Sequence, residues 1–419
     1  MIMNRLLLSL LVVSLVLVAC DKEGSGDDPT GPGELIERKD IPLTRAQLDF
    51  VKSNNTFALE FFKRVAENEG EKSMLVSPIS VTFALGMVNN GAKGDTQAEI
   101  NKALGYGGKS IEDLNAFCKT MLEEGAAVDP TTTIEIANMA VINKGSLPLK
   151  DSFAKKVESN FKANVCYKDF GKEDVKSIIN QWCEEKTHGM IKNFLKDPIT
   201  PDQYAHFLNA TYFKGIWSSP FNKDLTHKED FTAIDGNTVS LNMMLQQAKF
   251  GYSEVQKLGS AVCLPYGNKA YRMIVILPGE KISLEDLKNT LTIDSWNQLN
   301  TMSEQEVEVC IPSFESEFGA SSIKKALMDM GIKKAFVGGE ADFSDMTNEG
   351  VYVSDVLQKA KIKVDEQGTE AAAVTDVVME KVSSAIPKVV HFHADRPFLY
   401  AITEVSTGAI FFIGQYTGK

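Results

Sequence analysis

The sequence predicts an α+β fold in one continuous domain, and three observations carry that expectation. Helical periodicities gather in the first half of the chain, while runs of β-branched and aromatic residues between turn signals dominate the second. After Ile41 no linker and no internal repeat divides the chain. The 419 residues are 43% hydrophobic and 24% charged, with 30 Gly and 14 Pro, which sets aside disordered and collagen-like structure. A chain of this length can bury a sizeable core unaided.

The leader comes first. Arg5 precedes an apolar stretch over residues 6–18, too short to span a bilayer comfortably, and Leu17-Val18-Ala19-Cys20 follows. The pattern resembles a bacterial lipobox, with residues 1–19 as signal peptide and Cys20 as the lipidated N-terminus. A plain secretory signal with a chance cysteine is the alternative. Several acyl chains would hold the protein to a membrane, since each buried methylene contributes roughly 0.8 kcal/mol. The expected location is therefore exported and lipid-anchored to a bacterial membrane, at the cell surface or otherwise. Residues 20–40, rich in Gly, Pro and acid, read as a flexible tether to a domain spanning 41–419.

Within that domain, Thr44-Arg-Ala-Gln47 forms a capping-box pattern, and Ala58, Phe61, Phe62 and Val65 keep helical spacing beyond it. Ser77-Pro78 reads as a helix start. Thr96-Gln-Ala-Glu99 reads as a second capping box, with Gly105 ending that helix. Val175, Ile178, Ile179 and Trp182 mark an amphipathic helix closed at Gly189. Strands are expected at 207–213, 270–277, 307–311, 389–392, 398–404 and 409–415, with a helix at about 321–330.

The chemistry-bearing residues point away from catalysis. No GxSxG, HExxH, P-loop or GxGxxG motif is present. A net charge of −12 disfavours nucleic acid, and no basic run suits heparin or DNA, so neither partner is expected. Cys118, Cys166, Cys183, Cys263 and Cys310 are scattered without a CxxC, which predicts buried free thiols. Five histidines occur, and His391 and His393 would share one face of a strand. Apart from Asp395 no acidic residue, and no cysteine, stands near them in sequence, so a polar face is expected and neither a metal nor a cofactor.

Residues 366–382 behave differently. Thr369, Ala371, Ala373, Thr375, Val377 and Met379 alternate with Glu370, Ala372, Val374, Asp376, Val378 and Glu380. That is the period-two pattern of a half-buried strand, small and uncharged on one face. Alanine is depleted in ordinary strands, and a short helix capped by Thr369 is the competing reading. Small inward residues suit a strand that slides late into a crowded sheet, with Gly368 as a flexible pivot.

Glu366-Gln-Gly-Thr-Glu-Ala-Ala-Ala373 resembles the serpin hinge, and Phe392-His-Ala-Asp-Arg-Pro-Phe-Leu-Tyr-Ala-Ile402 resembles the serpin C-terminal signature. Asn209-Ala-Thr-Tyr-Phe-Lys-Gly-Ile-Trp217 with Pro220-Phe221 is similar to another serpin block. So is Ser77-Pro-Ile-Ser80 with Ala84-Leu-Gly-Met87, Gly91-Ala92 and Thr96-x-x-Glu99. The resemblance runs from Thr44 to Lys419.

It implies a serpin fold of three β-sheets and eight to nine helices, with an exposed reactive loop at about 366–390. It implies a monomeric inhibitor of serine proteases rather than an enzyme. The scissile residue falls fourteen places after Gly368, at Val382, with the attacked bond Val382–Ser383. The protease's serine would acylate there, and the cut loop would insert into the main sheet and trap the enzyme. Val382 implies elastase-like targets; a one-residue slip to Lys381 would imply trypsin-like ones. Glu366, Gly368, Thr369, Glu370, Ala371, Ala372 and Ala373 would be the hinge, and Trp217 would lie where the loop first meets the sheet. Ser77, Ser80, Asn209 and Gln358 would form a central polar cluster, Gln358 standing where the family commonly has His. A non-inhibitory binding or chaperone-like lipoprotein on the same fold is the second hypothesis.

Overall fold

The computed structural model describes residues 37–145, 148–255, 258–369 and 388–419, and residues 37–419 form one compact unit. Thr44 caps helix α1 (Arg45–Glu69) through a reciprocal capping box with Gln47, as the pattern predicts. Strand β1 (Met74–Val76) leads to α2 (Pro78–Asn89), started by Ser77, whose side chain accepts from the backbone N–H of Ser80. Helix α2 is buried on nearly every face, which matches its uniformly apolar sequence.

The chain continues through α3 (Gly94–Ala103) and α4 (Ile111–Glu124) to β2 (Thr132–Asn143), α5 (Asp151–Phe161), β3 (Asn164–Lys168) and α6 (Val175–Lys186). Strands β4 (Ala205–Ile216), β5 (His227–Thr232), β6 (Thr238–Val255), β7 (Gly259–Tyr266) and β8 (Tyr271–Pro278) follow. Next come α7 (Leu284–Thr290), α8 (Ile293–Leu299), β9 (Ser303–Pro312), β10 (Phe314–Ser322) and α9 (Lys324–Asp329). Strand β11 (Leu357–Asp365) and the two-residue β12 (Gly368–Thr369) precede the loop; β13 (Val390–His393), β14 (Phe398–Glu404) and β15 (Ile410–Tyr416) close the chain.

Among the described residues there are nine α-helices and two hydrogen-bonded sheets. One sheet is ordered β10-β11-β12-β4-β2-β3; the other is β1-β15-β14-β8-β7-β6-β9-β13, with β5 also on β6. The expected count of three sheets becomes two connected networks because the eighteen-residue β6 runs unbroken through two of them. Its first residues pair with β5, its middle with β9 and its last residues with β7.

Three local expectations are corrected. The box at Thr96–Glu99 does not cap a helix: α3 starts after Lys93, and Thr96 is buried inside it. Those side chains serve tertiary contacts instead. Thr96 Oγ1 accepts from Asp342 N–H at 3.0 Å, and Glu99 Oε2 accepts from the N–H groups of Lys333 and Lys334 at 2.7 and 2.8 Å. The helix expected from residue 321 starts at Lys324, since Ser321 and Ser322 pair with Gln358 and Leu357 at the end of β10. Of the five thiols, Cys118, Cys183 and Cys310 are buried, but Cys166 and Cys263 are partly exposed.

His206 on β4 makes one outcome measurable. Its Nε2 is buried with no partner among the described residues, and burial pushes its pKa from 6.5 down to about 4. Between those values the unfolded chain binds the proton and the fold does not, so stability is full above pH 6.5 and falls as the pH drops toward 4. The loss should reach about 2–3 kcal/mol. Denaturant unfolding of the wild type and of His206→Gln across pH 7 to 4 checks this; equal slopes would assign the acid sensitivity elsewhere.

Candidate functional site

The described hinge residues lie at one end of the six-stranded sheet. Thr369 stands opposite Val364 of β11 and Gly215 of β4, and Gly368 stands opposite Asp365 and Ile216. The short β12 is thus wedged between two strands that run parallel to each other, and it is antiparallel to both. Gly368 and Thr369 are buried, so these two hinge residues already belong to the sheet.

Gly368 is therefore no loose pivot. It sits at φ +149°, where a Cβ would come 2.1 Å from the Gly215 carbonyl oxygen and 2.8 Å from Ile216 Cα. Close backbone approach, rather than flexibility, requires glycine there.

Trp217 fastens this corner. Its backbone N–H donates to the Gln367 carbonyl at 2.9 Å, and its indole N–H donates to the Asp365 carbonyl at 2.9 Å. The indole stacks on Tyr266 with centroids 4.4 Å apart and planes 12° from parallel. The Tyr266 hydroxyl lies 2.7 Å from Thr369 Oγ1 and, being buried, is held protonated well beyond its ordinary range. Gly215 leaves room for that ring, since a Cβ there would meet Tyr266 Cδ1 at 2.9 Å. Glu366 is tied as well: its carbonyl accepts from Phe221 N–H at 2.8 Å, and its Oε1 accepts from the Thr226 hydroxyl at 2.9 Å. Removing only the phenol oxygen, in Tyr266→Phe, should cost about 1 kcal/mol and loosen Thr369. Faster amide exchange at Thr369 with an intact core is the expected reading; unchanged exchange would mean the strand holds without that contact.

Lower in the same sheet, the structure brings together all four residues of the polar cluster. The Ser77 hydroxyl donates to the Phe411 carbonyl at 2.9 Å. The Ser80 hydroxyl donates to Asn209 Oδ1, which also accepts from Thr211 Oγ1 at 2.8 Å. Asn209 Nδ2 donates to Asn138 Oδ1 at 2.7 Å, and Asn138 Nδ2 donates to the Phe161 carbonyl at 2.7 Å. Gln358 Nε2 donates to the Ser77 carbonyl at 2.8 Å. Its Oε1 is buried with no partner among the described residues, so the glutamine satisfies only half of its amide.

Sequence reasoning missed Asn138, Thr211 and Tyr266. The first two carried no signal beyond their polarity inside apolar strands; Tyr266 carried none. Glu370, Ala371, Ala372, Ala373, Val382 and Ser383 lie outside the described residues, as does Cys20. Among the described residues no helix is long and apolar enough to cross a membrane.

Residues 52–418 match the family model for serpin (serine protease inhibitor). This chain belongs to the serpin family. It is 35% identical over 371 residues to Iripin-2 of Ixodes ricinus, covering 87% of this chain and 92% of that one. Among solved structures, the native thermophilic serpin tengpin is similar with a TM-score of 0.80 and 30% identity, over 91% of this chain and 96% of its own. Human thyroxine-binding globulin complexed with thyroxine gives 0.79 and 26%, over 88% and 98%. The family is one of protease inhibitors, so this serpin is not an enzyme.

Proposed function

We propose that this serpin is a suicide-substrate inhibitor of serine-type endopeptidases, cut at Val382–Ser383 and trapping the acyl-enzyme by inserting the freed loop into the six-stranded sheet. The observation that carries the reading is the seating of β12 between β11 and β4. Insertion would extend a strand already begun, with β11 and β4 parting below it.

The register can be followed. With Thr369 opposite Val364 and Gly215, each further loop residue steps one place back along both neighbours. Glu370 would meet Lys214 and Lys363, neither of which is in an ion pair among the described residues, so its charge finds complements. Ala371 and Ala373 would face the interior beside Phe213 and Ile362, then Thr211 and Ala360, where small side chains fit. Thr375 would arrive between Asn209 and Gln358. Its hydroxyl could then donate to the Gln358 oxygen that lacks a partner among the described residues. The alternation of the loop thus agrees with both faces of the gap.

The test uses the intact protein with elastase-like and trypsin-like proteases. The expected result is a covalent complex that survives denaturant and a C-terminal fragment beginning at Ser383. A fragment beginning at Val382 would move the scissile residue to Lys381 and the targets to trypsin-like enzymes. Cleavage without complex would favour the second reading, a non-inhibitory binding protein. That reading draws on the likeness to thyroxine-binding globulin, a ligand-bound protein of the same fold.

Anchoring through lipid on Cys20 is proposed from the leader alone, with defence of the cell surface against foreign proteases as its use. A membrane fraction that loses the protein on Cys20→Ala supports it; a wild-type protein found wholly in the soluble fraction refutes it.

A further inference from the structure

Strand β13, which follows the loop, carries the two histidines that lacked partners in sequence. The fold supplies them. In the parallel β13–β9 ladder, His391 stands opposite Glu308 and His393 opposite Cys310. The chain just beyond β13 also meets β5, since the Thr232 N–H donates to the Asp395 carbonyl at 2.8 Å. That contact brings Glu229 Oε1 to 2.9 Å from His393 Nε2. The donor atoms of Glu229, Cys310 and His393 all lie within 4.8 Å of one another.

We infer that Glu229, Cys310 and His393 form a binding site for a divalent transition metal of the zinc type, clamping β13 to β5 and β9. Zinc takes imidazole nitrogen, thiolate sulfur and carboxylate oxygen at about 2.0–2.3 Å, which places tetrahedral donors roughly 3.3–3.8 Å apart. Small side-chain rotations bring this triad to that spacing. A thiolate with an imidazole selects zinc-like ions over magnesium or calcium, which prefer oxygen alone.

The surroundings fit a cation. Glu308 and Asp395 add negative charge around the Cys310 sulfur. His227 steadies the carboxylate from outside: its Nε2 lies 3.2 Å from Glu229 Oε2 and its Nδ1 3.0 Å from the Leu225 carbonyl. Cys310 is buried at the floor, whereas the side chains of Glu229 and His393 are 32% and 43% exposed, which leaves a way in and a fourth position for water. On binding, the Cys310 thiol releases its proton to solvent and its sulfur lone pair goes to the metal; His393 binds through neutral Nε2. The bound ion bridges three strands. Among the described residues β13 is a four-residue edge strand whose only ladder is with β9, so the ion would anchor the far end of the loop.

The probes are cobalt(II) and zinc(II), added to the full chain after chelation and dialysis. One equivalent of cobalt should bind with an intense near-ultraviolet thiolate-to-metal band, and zinc should displace it. Cys310→Ser should abolish the band, and His393→Gln should weaken zinc binding by at least about tenfold. His391→Gln, outside the triad, should leave both unchanged. Failure of the wild-type chain to bind either ion at micromolar concentration would overturn the inference without recourse to any variant. So would a cobalt band that persists in a folded Cys310→Ser.

Discussion

On the proposed trapping mechanism, Thr375→Arg is expected to turn the serpin into an ordinary substrate. On the proposed insertion, extending the β12 register would bring residue 375 to the interior face between Asn209 and Gln358, where the polar groups present are two side-chain amides and hydroxyls. A guanidinium there would be buried without a counter-charge, at a cost of about 3–5 kcal/mol. Each 1.4 kcal/mol is a factor of ten in rate, so the partition between trapping and release should shift by about a hundredfold or more. Protease would cut the variant at the same bond and walk away. The control is Ala372→Glu, which lands on the outward face opposite Lys361 and should still form complex. Equal trapping by Thr375→Arg and wild type would show that the loop does not take this register.

Gly368→Val should act before any protease arrives. A Cβ at this position would lie 2.1 Å from the Gly215 carbonyl oxygen and 2.8 Å from Ile216 Cα, both backbone of β4, which cannot swing aside as a side chain can. Strand β12 would be expelled, and with it would go the Thr369–Tyr266 hydrogen bond and the Gln367 carbonyl's contact with the Trp217 N–H. Strain at a position this tight, together with those losses, should cost about 2–4 kcal/mol. Denaturant unfolding measures it directly. Limited proteolysis should also show earlier cutting around Gln367. A variant with the wild-type midpoint would mean that β12 is not seated in solution.

How far the fold could be read in advance varies with the range of the interaction involved. Thr44–Gln47 and Ser77–Pro78 are caps whose partners lie within three residues, and both helices start where the pattern places them. Thr96–Glu99 has the same spacing, yet its groups bind Asp342, Lys333 and Lys334, more than two hundred residues away. Local pattern cannot rank a short-range partner against a distant one. His391 and His393 fail for the same reason. Their partners Glu229, Glu308 and Cys310 come from strands β5 and β9, and only sheet register brings them into reach.

The sequence by itself determined the family, the α+β class and the alternation of the loop segment, because motif order and side-chain period are properties of the chain alone. Only the tertiary structure decided that the strand begins inside the sheet, that Gly368 is fixed by its neighbour's backbone and that Gln358 keeps an acceptor unpaired among the described residues. Those depend on what stands opposite each residue across space. A residue's own chemistry limits its possible partners; packing chooses among them.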